Sequence, residues 1–318
     1  MSKVSVIGAG AVGTAVSYAL SNQAIATDLA LYDIDAVKVA AEAADLSHGA
    51  ALAGLPRVSG SDDLPTTADS DVVVITAGAN RSPGQSRLEL AAHNAQVVSS
   101  LARSVLELSP RAILIVVTNP CDVLATVLSR QLDVPPSQII SSGTLLDSAR
   151  LRSALASQFA VSPASIDVVV TGEHGDSQVP VWSTATIGGV PMGEVRDADG
   201  RLLSPTELDE VAQQTKDAGR LVIEGKGVTN FGIGQAVAWI TRSILRDERV
   251  VLPVGTLVDG WGGPEVVMSV PSVVGKQGAV PVAGWRPNQL ETERLQASAQ
   301  AIAGVVEDLI PGTPEASG

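Results

Sequence analysis

Three glycines at the start of the chain restrict what it can fold into more than any other feature. Gly8, Gly10 and Gly13 stand in Gly8-Ala9-Gly10-Ala11-Val12-Gly13, after an apolar stretch (Lys3 to Ala9) that reads as a strand and before one (Val12 to Asn22) that reads as a helix. A strand that turns this tightly into a helix leaves the first helical N–H groups unpaired at the positive end of the helix dipole. That is a seat for a pyrophosphate. Gly8 allows the tight turn, Gly10 lets the backbone approach the phosphates, and Gly13 lets the helix lie close against the strand. Asp33 ends the next strand, Asp28 to Tyr32. A carboxylate at that spacing accepts hydrogen bonds from both ribose hydroxyls and repels a 2′-phosphate. No arginine adjoins it, so the expected dinucleotide is NAD rather than NADP.

The alternation continues through the first half. Asp71 to Ala77, Ala112 to Thr118 and Gln138 to Ser141 read as further strands. Continuous apolar runs of this kind suit a parallel sheet covered on both faces. Ala36 to Ala50, Leu88 to Leu108 and Val123 to Leu132 read as the helices between them. The expected fold class is α/β: a Rossmann-type doubly wound parallel sheet in residues 1–142. After Gly143 the pattern changes to long helices (Pro205 to Glu224, Gly234 to Arg246, Asn288 to Asp308) and short strands (Ile166 to Val170, Val250 to Val258, Glu265 to Val274). This predicts an α+β substrate-binding domain in residues 143–318.

Composition narrows the partners. A net charge of −13 argues against nucleic acid and anionic membranes. No apolar segment reaches the roughly 18–20 residues that span a bilayer, and no signal-peptide layout precedes the first strand. The single cysteine, Cys121, fits a reducing cytoplasm. It follows Asn119-Pro120 and reads either as a nucleophile or as a small buried residue at a helix start. An acidic protein that binds an anion must concentrate its few cations at the site, which makes individual arginines informative.

One of only three histidines, His174, stands in Thr171-Gly172-Glu173-His174-Gly175-Asp176-Ser177, after the strand Ile166 to Val170. An imidazole on a glycine-flanked turn at a strand end suits a general acid/base; the other reading is a hydrogen-bonded loop histidine. Asp147 and Arg150 are three residues apart and share a helix face. They form either a functional pair or a surface ion pair of little energetic consequence. His48 and His93 read as surface or packing residues, and no metal cluster is expected.

Taken together, the glycine loop, Thr76 to Leu88, Val117-Thr118-Asn119-Pro120, Gly143 to Arg152, Gly172 to Asp176 and Gly225 to Gly234 resemble the L-lactate/malate dehydrogenase family over essentially the whole chain. The resemblance implies hydride transfer between NAD(H) and a small 2-hydroxy/2-keto acid. It makes His174 the proton donor and acceptor, Asp147 its carboxylate partner, and Arg87 the loop arginine that polarises the reacting carbonyl. Arg150 becomes the clamp on the substrate carboxylate, a task that suits a planar guanidinium. Asn119, before a cis Pro120, orients substrate and nicotinamide, and Thr229 lines the substrate pocket. Ala77, Gly78 and Ile233 join Gly8, Gly10, Gly13, Asp33 and Asn119 at the cofactor. A homotetramer or homodimer is implied, through Ala36 to Ala50 and the second domain.

Within that family the lid position six residues before the carbonyl-polarising arginine separates substrates. It is glutamine in lactate dehydrogenases and arginine in malate dehydrogenases. Here it is Arg81, which favours malate/oxaloacetate; the surrounding framework, including Thr229, resembles the lactate branch and keeps L-lactate dehydrogenase as the alternative. Many bacterial lactate dehydrogenases bind fructose 1,6-bisphosphate with an arginine, matched here by Arg152, and a histidine whose place holds Asp167. A carboxylate facing a phosphate predicts no activation. An NAD-using glycosidase of the same fold is a remote alternative that would need a Cys/His metal site, and Cys121 is the only cysteine.

Overall fold

Strand–helix alternation builds a doubly wound α/β sheet in the computed structural model, which describes residues 2–53, 56–79 and 86–310. The first half runs β1 (Lys3–Ile7), α1 (Ala11–Asn22), β2 (Asp28–Tyr32), α2 (Ala36–Ala53), β3 (Arg57–Ser61), β4 (Val72–Ile75), α3 (Arg87–Leu108), β5 (Ile113–Val116), α4 (Cys121–Gln131) and β6 (Ile139–Ser141). The second half runs α5 (Leu145–Phe159), β7 (Ile166–Thr171), β8 (Val179–Ile187), β9 (Val190–Pro191), α6 (Pro205–Lys226), α7 (Phe231–Leu245), β10 (Val250–Val258), β11 (Val266–Gly275), β12 (Gly278–Pro281) and α8 (Gln289–Leu309).

Strands β1 to β6 are parallel, in the order β6-β5-β4-β1-β2-β3. The order reverses between β1 and β4, and the chain leaves their carboxyl ends in opposite directions. That opens the crevice where such sheets bind ligands. Side chains alternate across the sheet with period two. Val4, Val6, Leu29, Leu31 and Val74 face one way, where α1 and α7 pack. Ile7, Val73, Ile75 and Leu114 face the other, against α3 and α4.

The second half contributes to this sheet as well as forming its own. Strands β10 to β12 do not form a separate sheet; they continue the first one as antiparallel neighbours, giving the order β12-β11-β10-β6-β5-β4-β1-β2-β3. The reason lies at the edge strand β6, whose backbone groups need a partner. Gly255 of β10 sits opposite Ser141, and a Cβ on Gly255 would lie 1.8 Å from Ser141 Oγ, so the close pairing requires glycine there. Strands β7, β8 and β9 form a small antiparallel sheet of their own. A backbone bridge between Gly172 and Ser269 joins β7's end to β11. That bridge brings the His174 turn over the carboxyl ends of the parallel strands.

Candidate active site

The glycine turn is built by steric exclusion. Gly8 has φ +103°, and a Cβ on Gly13 would lie 1.8 Å from Gly8 O. Helix α1 therefore starts against the turn itself. Thr76 Oγ1 donates to Ile7 O at 2.9 Å and to Gly8 O at 3.1 Å, tying the loops after β1 and β4 together. Asp33 is held at the end of β2, where Oδ2 accepts the Ala9 N–H at 2.6 Å and Oδ1 that of Asp35 at 3.1 Å. A cavity of about 780 Å³ opens here, lined by Gly8, Gly10, Asp33, Lys38, Ala77, Gly78 and the exposed His93. Gly10 caps α1 without a side-chain hydrogen bond, which leaves the helix start open to an anion. An uncapped helix start, a fixed carboxylate one strand away and a long cavity between them fit a dinucleotide. Asn94, buried on α3, accepts the Ala79 N–H at 2.9 Å and donates to Asn119 O at 3.0 Å. It couples the loop after β4, which lines this cavity, to the loop after β5.

A second, smaller cavity has a volume of about 270 Å³. Val12, Asn119, Asp147, Arg150, His174, Lys216, Thr229 and Ile233 line its wall. The Asn119–Pro120 peptide is cis. Asp147, 3% exposed, projects from the first turn of α5 and divides its oxygens. Oδ2 contacts His174 Nδ1 at 2.6 Å, and Oδ1 accepts from Arg150 Nη1 at 3.0 Å. The Asp147–Arg150 pair is therefore no solvated surface bridge. Burial draws the His174 pKa down, but the hydrogen bond and charge of Asp147, with the charge of Asp122, outweigh it and hold the imidazole above its ordinary value. Burial raises Asp147, yet His174 and Arg150 hold it below the usual carboxylate range.

The turn that carries His174 is anchored on three sides. Gly172 exchanges backbone hydrogen bonds with Ser269 at 2.8 and 2.9 Å. The Glu173 N–H donates to Ser298 Oγ of α8 at 2.8 Å. The His174 N–H donates to Asp122 Oδ2 of α4 at 2.6 Å. Lys216 of α6 closes the outer side by donating to Asp176 O at 2.5 Å. Sequence reasoning missed Asn94, Asp122, Lys216 and Ser298. The one available signal was a polar residue inside an otherwise apolar helical face, as at Asn94 and Asp122.

The other expected residues fall as follows. Arg87 opens α3, and its side chain lies outside the described residues; Arg81 lies outside them altogether. Cys121 is buried at the start of α4 and burial pushes its thiol up, so the nucleophile reading is dropped in favour of a packing residue. His48 is exposed. Arg152 Nε donates to Val168 O at 3.2 Å, with the Asp167 charge acting on its guanidinium. Among the described residues no group of three or more His, Cys, Asp or Glu could hold a metal ion. Among them, too, no helix is long and apolar enough to cross a membrane.

A doubly wound sheet with an open glycine turn beside a His–Asp–Arg constellation defines a dinucleotide-binding oxidoreductase of the Rossmann class. Comparison with known proteins narrows this. Residues 2–141 match the model for the lactate/malate dehydrogenase NAD-binding domain, and residues 144–309 that for the lactate/malate dehydrogenase alpha/beta C-terminal domain. An L-lactate dehydrogenase of Kosmotoga olearia is 40% identical, covering 97% of this chain and 96% of that protein. One from Bifidobacterium animalis subsp. lactis is 38% identical, covering 94% of each. The crystal structure of the minor L-lactate dehydrogenase of Enterococcus mundtii superposes with a TM-score of 0.91 at 33% identity, over 98% of this chain and 99% of that one. The chain belongs to the lactate/malate dehydrogenase family, and its cofactor is NAD.

Proposed function

We propose that this protein interconverts an L-2-hydroxy acid and its 2-keto acid, and that the pair is lactate and pyruvate. The observation that carries the choice is the name L-lactate dehydrogenase on relatives that match nearly the full chain. It outweighs the malate reading drawn from Arg81. That second reading keeps one specific support: a guanidinium six residues before Arg87 would pair with a distal carboxylate and would face a methyl group unfavourably.

NAD supplies the hydride acceptor, or NADH the donor, at the nicotinamide ring. The chain's own groups do the rest. Residues 1–142 hold the cofactor through Gly8, Gly10, Gly13, Asp33, Ala77 and Gly78, and Ile233 and Asn119 border the nicotinamide end. Residues 143–318 supply most of the substrate contacts. Arg150 takes the substrate carboxylate in two-pronged fashion. Asp147 occupies His174 Nδ1, which leaves Nε2 to give a proton to the keto oxygen or take one from the hydroxyl. Arg87 polarises the reacting carbonyl, Asn119 orients it, and Thr229 borders the pocket. The exposed Val37 and Leu52 of α2 and Leu221 of α6 support a homodimer or homotetramer, which sedimentation at several concentrations would test.

The deciding measurement is kcat/KM for NADH oxidation with pyruvate and with oxaloacetate at one pH near neutrality. A pyruvate preference of tenfold or more supports the lactate reading. An oxaloacetate preference of that size replaces it with malate dehydrogenase and gives the choice to Arg81.

A further inference from the structure

Beneath the His174 turn lies a second buried carboxylate to which the mechanism above gives no task. Asp122, 2% exposed in the first turn of α4, receives the His174 N–H on Oδ2 at 2.6 Å and the Ser141 hydroxyl on Oδ1. The neighbouring amides of the same turn are satisfied by neutral oxygens: Gly172 by Ser269 O and Glu173 by Ser298 Oγ. The Ser177 amide reaches Glu173 of the turn itself at 3.3 Å; the His174 amide is given a buried acid from another element, α4. Hydrogen bonding alone does not require one. An asparagine at 122 would accept from the His174 amide through Oδ1 and donate through Nδ2 to Ser141 Oγ, because a hydroxyl serves either way. A buried acid is also the costlier choice: burial pushes the Asp122 pKa up to about 6. What asparagine would lack is the negative charge.

We propose that Asp122 is a positioning residue for the acid/base step: it fixes the backbone of His174 and sets a second negative charge beneath the turn that favours the imidazolium form. The inference rests on the assignment of His174 as the proton carrier. The other groups around that turn, among the described residues, leave this role open. On α5, Asp147 and Arg150 are paired with each other. On α4, Cys121 is held neutral by burial. On the turn itself, Glu173 is engaged by Ser177 at 2.5 Å and opposes Asp122 rather than replacing it. Asp176 is largely exposed, with Lys216 of α6 3.8 Å away.

The test is the pH profile of kcat/KM for 2-keto acid reduction in Asp122→Asn, together with NADH affinity measured by fluorescence. Expected is an alkaline limb lower by about half a pH unit or more, with NADH affinity within twofold of the parent. Ser141→Ala, which removes one donor but leaves the acid, is expected to shift the limb in the same direction by less. It also keeps the idea testable should Asp122→Asn fold poorly. An unmoved limb in both variants, or a loss of rate that is uniform in pH, would reduce Asp122 to a structural hydrogen-bond acceptor and overturn the proposal. His174→Asn separates the two claims. If that variant still turns over at the parent rate, the assignment of His174 fails. If it is inactive while the Asp122→Asn limb stays at the parent pH, only the role of Asp122 fails.

Discussion

Asp147 holds His174 with one carboxylate oxygen and Arg150 with the other, so replacing this one residue acts on both. Asp147→Asn keeps the size but removes the charge that opposes the desolvation of His174. On the assignment proposed for His174, the imidazole must carry a proton before a 2-keto acid is reduced, so reduction is full at low pH and falls as pH rises through the raised histidine pKa. Removing Asp147 lowers that pKa, and the fall begins at lower pH. At neutral pH the variant is expected to lose about 10²-fold or more in kcat for reduction. Hydroxy acid oxidation, which needs neutral imidazole, is expected to extend to lower pH. Rate profiles in both directions check this, and a shift of both limbs upward would contradict the assignment. Arg81→Gln is expected to move the pyruvate-to-oxaloacetate ratio of kcat/KM toward pyruvate by roughly ten- to hundredfold, the worth of one charge-assisted hydrogen bond; an unchanged ratio would mean the side chain does not meet substrate. At Arg152, the facing carboxylate of Asp167 repels phosphate, so millimolar fructose 1,6-bisphosphate is expected to leave the substrate KM where it was. The residues of this site that were legible in the sequence are those whose neighbours in sequence give them away: His174 between glycines, Arg150 one turn after Asp147. Asp122 was not, because its meaning comes from an amide 52 positions away that only the fold brings to it.

Among the elements, α1 depends most directly on one atom. The Cβ that Gly13→Ala adds would meet Gly8 O, a backbone atom that cannot rotate aside. Helix α1 must then withdraw from the turn or tilt, carrying its free N–H groups away from the pyrophosphate seat. An NADH dissociation constant at least tenfold weaker is expected, read by fluorescence titration. An affinity equal to the parent's would show that the helix start tolerates the shift. The parallel strands and their helices were legible because runs such as Val72–Ile75 and Ile113–Val116, buried throughout, announce a sheet covered on both faces. Strand β3, with the sequence RVSGS, carries no apolar run and was missed. Strands β8 and β9 were missed as well. Residues 179–187 expose or half-expose five of nine side chains, so the strand is defined by its pairing with β7 rather than by its own pattern.

For the whole molecule, the sequence pattern changes after residue 142, while one nine-stranded sheet runs across that point. Gly255 of β10 pairs with Ser141 of β6, and the apolar layer over Val4, Val6 and Leu31 is completed by Val237, Ile240, Leu252 and Val254 from the second half. A chain cut after residue 142 would therefore expose both the edge of β6 and the face of the sheet that α7 covers. Open edges and bare apolar faces drive association, and too little of the core remains to offset the entropy of folding. The fragment 1–142 is accordingly expected to aggregate or to lack a cooperative thermal transition, and to bind NADH far more weakly than the full chain, even though it holds every glycine and carboxylate of the cofactor loop. Calorimetry and NADH fluorescence on the fragment check this. A sharp transition together with near-parental NADH affinity would show that the first six strands are sufficient, and that the antiparallel extension serves the His174 turn alone. If the fragment behaves as expected, the Gly172–Ser269 bridge and the Gly255–Ser141 pairing join one cooperative unit in which cofactor seat and proton carrier cannot be separated by cutting the chain.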